Sequence, residues 1–228
     1  MSQRMDRERK KMYNKKRVIK ELKPARPAAE LFCYLANAED CVFLDSSLVN
    51  KLGRYSIIGM YPYLKLCKDD NGFYINDQLE TAVTFEDYLR SYLTEHVDQN
   101  KSGLPIVSGA VGYFSYEYGR KMMKVSSHKE DLVTIPDALL VFYDMYIIED
   151  CHEKKTYLVA NGVTEDAEKR IESVEEHLAE SLKEKKQAPG WLFNIEVTPN
   201  FEKEEYKRAV DDMIRYIIEG DIYITNMT

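Results

Sequence analysis

The sequence is short of the residues that announce self-contained chemistry. Only four cysteines and four histidines stand among its 228 residues. None of Cys33, Cys41, Cys67 and Cys151 lies in a CxxC pair, and each sits within or beside an apolar segment. That pattern predicts buried free thiols in a reducing, cytoplasmic setting rather than disulfides or zinc ligands. His96, His128, His152 and His177 show neither HExxH nor HxH spacing, which excludes the common zinc motifs. The glycine patterns of a serine-hydrolase elbow, a P-loop and a dinucleotide-binding turn are all absent. No apolar run approaches the ~18 residues of a membrane-crossing helix. The basic start MSQRMDRERKKMYNKKR has no apolar stretch behind it, so it is not a secretory signal. A net charge of −7 argues against general nucleic-acid binding.

What is present is ordinary globular composition, 44% hydrophobic and 31% charged, in a length suited to one large domain or one domain and part of another. The seventeen tyrosines are spread along the chain, as half-buried sheet residues would be. Residues 1–17 read as a solvated basic tail. In PARPAAELFCYLANAED, Pro27 suits a first helical turn, and Leu31, Phe32 and Leu35 share a face. CVFLDSS reads as a short strand, and GRYSIIGMYPYLKLC as a strand broken at Pro62. DDNG, at Asp69–Gly72, signals a hairpin. TFEDYLRSYLTEHV carries a helical stripe behind an N-cap at Thr84.

The middle is rich in strands. LPIVSGAVGYFSYE, from Leu104 to Glu117, reads as a central strand whose internal glycines, Gly109 and Gly112, mark a bulge or the close approach of another backbone. DALLVFYDMYIIED and KTYLVANG flank the polar turn CHEKK as a long antiparallel hairpin. Tyr143 and Tyr146 are expected to alternate across the sheet, with the Phe142 side toward the core. Asp166 to Lys186 reads as a charged surface helix striped by Ile171, Val174 and Leu178, closed by the linker KEKKQAPG. WLFNIEV is strand-like. Glu204 to Gly220 is a strong amphipathic helix through Tyr206, Val210, Met213 or Ile214, and Ile217, and DIYITNMT then starts a strand. One strand, one helix and a strand start cannot bury a core, so this last part reads as a cut through a second folding unit. The expected division is a tail at 1–17, a domain at 18–187 and the start of a further domain at 188–228. The expected fold is α+β, a mainly antiparallel sheet with helices on its outer faces.

Four segments, in order, carry a resemblance. GRYSIIG (Gly53 to Gly59), SGAVGYFSYEYGR (Ser108 to Arg120), PDALLVFYDMYIIED (Pro136 to Asp150) and NFEKEEYKRAVDDMIRYIIEGDIYITNMT (Asn200 to Thr228) resemble the first half of chorismate-utilising synthases. These are the large subunits of anthranilate synthase and component I of aminodeoxychorismate synthase. The ending, with Ile224, Thr225 and Asn226, looks more like the aminodeoxychorismate (para-aminobenzoate, folate) branch, with anthranilate synthase of tryptophan biosynthesis as the alternative. The resemblance implies amination of chorismate with Mg²⁺, using ammonia from a glutamine amidotransferase partner. It also implies that the metal ligands and catalytic groups of relatives lie beyond Thr228. This chain alone is therefore expected to be inactive, with no catalytic and no metal-binding residue of its own. A non-catalytic amino-acid-sensing or docking module is the reading from another class.

The same resemblance points to Ser46, Arg54 and Tyr55, because the corresponding segments of relatives contact bound tryptophan. A hydroxyl would meet the amino-acid head group, with an arginine and a tyrosine framing it. The plainer alternative is that Arg54 pairs with a nearby acid while Tyr55 and Ser56 alternate along a strand. Glu117 and Arg120 read as a local ion pair, and Asp221 as a turn residue.

Overall fold

A computed structural model describes residues 16–35, 41–126, 134–181 and 198–226. The chain divides into two compact units, Met1–Lys185 and Lys186–Thr228. Two long runs of β-branched and aromatic residues frame the first. YSIIGMYPYLKLCK forms β3 (Tyr55–Lys68), and ALLVFYDMYIIED forms β7 (Ala138–Asp150). They pair antiparallel from Tyr55 opposite Asp150 to Lys68 opposite Ala138. One edge of β3 takes β2 (Val42–Leu44) near its start and β4 (Phe73–Ile75) near its end. One edge of β7 likewise takes β6 (Ala110–Phe114) along its first half and β8 (Lys155–Ala160) along its second. β1 (Val18–Glu21) continues from β8, and β5 (Gln78–Glu80) from β4. The result is one eight-stranded sheet whose pairings are all antiparallel. Both hairpin signals form turns. At the first, Asp69 Oδ1 accepts from the N–H groups of Asn71 and Gly72 at 2.8 and 3.0 Å.

The helices of the first unit lie against this sheet. α1 (Ala28–Leu35) buries Leu31 and Leu35. α2 (Phe85–Glu95) starts where Thr84 Oγ1 accepts from the Asp87 N–H at 3.1 Å, and packs Phe85, Tyr88, Leu89 and Tyr92 on Leu64, Leu66 and Phe142. α3 (Tyr116–Met122) is capped by Ser115. α4 (Ala167–Ser181) buries Ala167, Ile171, Val174 and Leu178 with α1 over Ile58, Met60, Met145, Ile147 and Leu158. Each Ile, Leu, Val or Met among them contributes roughly 1.5–3 kcal/mol when fully buried.

The structure corrects several sequence expectations. Pro62 does not break its strand; β3 runs through, with a register shift between Pro62 and Leu64. Tyr61 just before the shift adopts φ 57°, a left-handed conformation rare for a bulky residue, and the Arg170 guanidinium sits 3.8 Å from its ring centre. Across from it, Asp144 is buried and accepts from the N–H groups of Val163 and Thr164, both at 2.8 Å. The two-residue alternation of β7 slips here, so Tyr143 and Tyr146 share one cluster instead of alternating, their ring centres 6.0 Å apart. Leu104 to Glu117 is not one central strand. Only Ala110–Phe114 pairs, and only with β7, while Leu104, Ile106 and Val107 pack as loop residues. Gly112 does mark a close approach, because a Cβ there would lie 1.9 Å from the Leu139 carbonyl oxygen. The cysteines are free, but Cys33 is exposed and the other three are half-buried.

In the second unit, α5 (Lys203–Glu219) ends at Gly220, where the Asp221 N–H donates to the Tyr216 carbonyl at 3.0 Å. The helix buries none of its residues. Residues 221–226 form no strand, contrary to the pattern of DIYITN. Of the tail expected at 1–17, residues 1–15 lie outside the described residues, as do the linker and the WLFNIEV strand; Arg17 is placed, its Nε donating to Asn161 Oδ1 at 2.7 Å.

Candidate functional site

The candidate residues meet where β3 begins and β7 ends. The loop between β2 and β3 folds tightly on itself. Asn50 Oδ1 accepts from the N–H groups of Leu52 and Gly53 at 2.8 and 2.9 Å. A Cβ at Gly53 would lie 2.3 Å from the Leu48 carbonyl oxygen, so the loop closes only over glycine. That closure brings Ser46 back against the strand. Its hydroxyl donates to the Tyr55 carbonyl at 2.7 Å, and its N–H donates to Ser56 Oγ at 3.0 Å. The buried Ser56 hydroxyl in turn donates to Asp45 Oδ1 at 3.0 Å.

Arg54 reaches across the ladder to Asp150. Its Nε lies 3.2 and 3.1 Å from Asp150 Oδ1 and Oδ2, and its Nη2 lies 2.6 Å from Oδ2. The guanidinium also sits 4.9 Å from the Tyr55 ring centre. Asp150 Oδ1 accepts further from the His152 and Glu153 N–H groups, both at 3.1 Å, at the β7–β8 turn. The Arg54 hydrogen bonds hold the Asp150 carboxyl below its ordinary range, and the same bonds raise Arg54. His152 Nε2 lies 3.0 Å from the Asn50 carbonyl and joins the turn to the loop.

Ser46, Arg54 and Tyr55 are thus one cluster, with Arg54 paired to an acid. The sequence did not tie Asp150, Ser56, Asn50 or His152 to this cluster. The signal for Asp150 was available, since it closes the segment PDALLVFYDMYIIED. Its partner, though, is 96 residues away, and only the strand register joins them. Glu117 and Arg120 form an ion pair within α3, and Arg120 Nη1 donates to the Val125 carbonyl at 2.6 Å, which ties off the helix end. Among the described residues no group of three or more His, Cys, Asp or Glu side chains is placed to hold a metal ion. Among the same residues no helix is long and apolar enough to cross a membrane.

Residues 54–228 match the family model of the chorismate binding enzymes. The chain belongs to that family. Among chorismate binding enzymes, the anthranilate synthase alpha subunit 2 of Arabidopsis thaliana is 28% identical over 203 residues, covering 76% of this chain and 32% of its own. Anthranilate synthase component 1 of Bacillus caldotenax is 27% identical over 216 residues, covering 81% and 42%. The crystal structure of anthranilate synthase component I from Streptococcus pneumoniae TIGR4 shares the fold with a TM-score of 0.53 at 20% identity, covering 91% of this chain and 46% of that one. The chain therefore spans less than half the length of these relatives.

Proposed function

We propose that this chain forms the first part of a chorismate-aminating synthase of the anthranilate type. That enzyme would take ammonia from a glutamine amidotransferase partner and use Mg²⁺ held by residues other than those described above. The match of residues 54–228 to chorismate binding enzymes carries this reading, supported by relatives named as anthranilate synthases. Ile224, Thr225 and Asn226 favour a second reading, the aminodeoxychorismate branch, since anthranilate synthases commonly have Gln-Val where Ile224 and Thr225 stand. The Ser46, Arg54 and Tyr55 cluster is proposed as an amino-acid effector pocket with tryptophan as its ligand.

Complementation separates the branches. The gene carrying this sequence, supplied with an amidotransferase partner, should restore growth without tryptophan to a strain lacking anthranilate synthase. Rescue of only a para-aminobenzoate auxotroph would move the assignment to the second branch, and rescue of neither would sink the synthase reading. The purified 228-residue chain, given chorismate, ammonia and Mg²⁺, should form neither product by chromatography.

A further inference from the structure

The Arg54–Asp150 pair does more than neutralise two charges. Asp150 is the last residue of β7, and its side chain is 7% exposed against 42% for Arg54. Its two oxygens take the Nε–Nη2 edge of the guanidinium and two backbone N–H groups of the following turn. A carboxylate held by that many donors has little freedom to turn. Arg54 is therefore fixed by a rigid partner rather than the reverse. The backbone reinforces this, because the Cys151 N–H donates to the Arg54 carbonyl at 2.8 Å. With the side edge of the fork occupied, the Nη1–Nη2 end remains for an outside acceptor. The plane of the guanidinium in turn limits where the Tyr55 ring can lie.

We infer that Asp150 is the positioning residue of this cluster: it presets the Arg54 fork, and through it the Tyr55 ring, so that the Nη1–Nη2 end is offered to the carboxylate of an amino-acid ligand. The ligand half of this inference rests on the effector reading given above; the presetting of Arg54 does not. Arg54 thereby meets a ligand at low ordering cost, because its rotamer freedom is already spent within the fold. Asp150 itself touches no ligand.

Asp150→Asn separates positioning from turn structure. An asparagine oxygen can still accept from the His152 and Glu153 N–H groups, but it carries no charge to hold the fork. In ¹⁵N NMR of the 228-residue chain, Arg54 Nε–H should give a slowly exchanging signal, assigned by its loss in Arg54→Lys. In Asp150→Asn that signal should merge with solvent-exposed arginines, while the His152 and Glu153 amide signals persist. Calorimetric titration with L-tryptophan should show Kd weakened by about tenfold or more in the same variant. Asp150→Glu, which restores the charge, should recover part of both effects. An Arg54 Nε–H equally protected in Asp150→Asn would overturn the inference, as would its absence from the wild type. Tryptophan binding unchanged in Asp150→Asn would also overturn it while leaving the effector reading intact. If the wild type ignores tryptophan but the NMR behaves as described, the effector reading falls and the positioning of Arg54 by Asp150 stands.

Discussion

α4 and α5 look alike as sequences and behave differently as structures. Both are charged helices with an apolar stripe, of 15 and 17 residues. α4 sinks Ala167, Ile171, Val174 and Leu178 into a shared core with α1 and the sheet. Among the described residues α5 fully buries none, Ala209, Val210 and Met213 being only half-buried, and Tyr206, Ile214, Tyr216, Ile217 and Ile218 are exposed. An amphipathic period tells which face of a helix is adhesive. Whether that face is covered depends on what else the chain supplies. Helix propensity alone holds a segment of this length only marginally in water, so α5 relies on its own local bonds far more than α4 does.

Hydrogen exchange gives the largest expected contrast. Amides of Tyr206 to Ile218 should exchange at least ~1,000-fold faster than those of Ile171 to Leu178, since opening α5 breaks few packing contacts. Equal protection in a demonstrated monomer would break the comparison. Stability comes next. Leu178→Ala should cost about 2–5 kcal/mol in urea unfolding followed by a sheet signal, whereas Ile217→Ala should stay within ~0.5 kcal/mol. A large effect from Ile217 would show that its face is packed.

Acid should next weaken the first unit. Arg54 hydrogen bonds depress Asp150, and Arg17 hydrogen bonds depress Asp98. Burial by itself would raise Glu86, but bonds from Lys68 and Tyr118 outweigh it and bring it down. A carboxylate depressed in the folded state stabilises fully above its unfolded pKa of about 4 and loses that contribution as pH falls through the folded value. The first unit should therefore weaken progressively below pH ~4. Replacing Asp150 and Asp98 with asparagine should flatten the profile in that window. The smallest effect belongs to the start of α5. The Glu202 N–H donates to Glu205 Oε2 at 3.2 Å, so Glu205→Ala should lower the helical signal by the equivalent of about 0.5 kcal/mol.

Much of the fold was legible because local chemistry decides it. Asp69–Gly72 and the CHEKK turn could only reverse the chain, and Thr84 and Gly220 stand where helices start and stop. The errors fall where distant contacts override local pattern. Leu104 to Val107 has strand composition but fills a cluster from a loop, because β7 has room for β6 only along Ala138–Phe142 before β8 takes the same edge. Tyr143 and Tyr146 could be placed on opposite faces only by ignoring Asp144, whose burial and turn contacts mark the slip. The site divided in the same way. Ser46, Arg54 and Tyr55 were visible through family resemblance. Asp150, which fixes their geometry, became visible only through the pairing of β3 with β7.

That pairing also orders the assembly of the sheet. β7 and β8 are joined by a four-residue turn and can zip locally, whereas Arg54 and Asp150 must find each other across 96 residues. Closing so long a loop costs chain entropy before any contact repays it, and topologies of this kind fold slowly. The short turn between β7 and β8 favours early pairing of that hairpin, and the long separation of β3 from β7 favours its docking afterwards. Until it docks, Tyr143, Tyr146 and Ile148 lack Tyr55 and Ile57, the β3 part of their cluster. The molecule is then most prone to aggregate, before the central ladder closes.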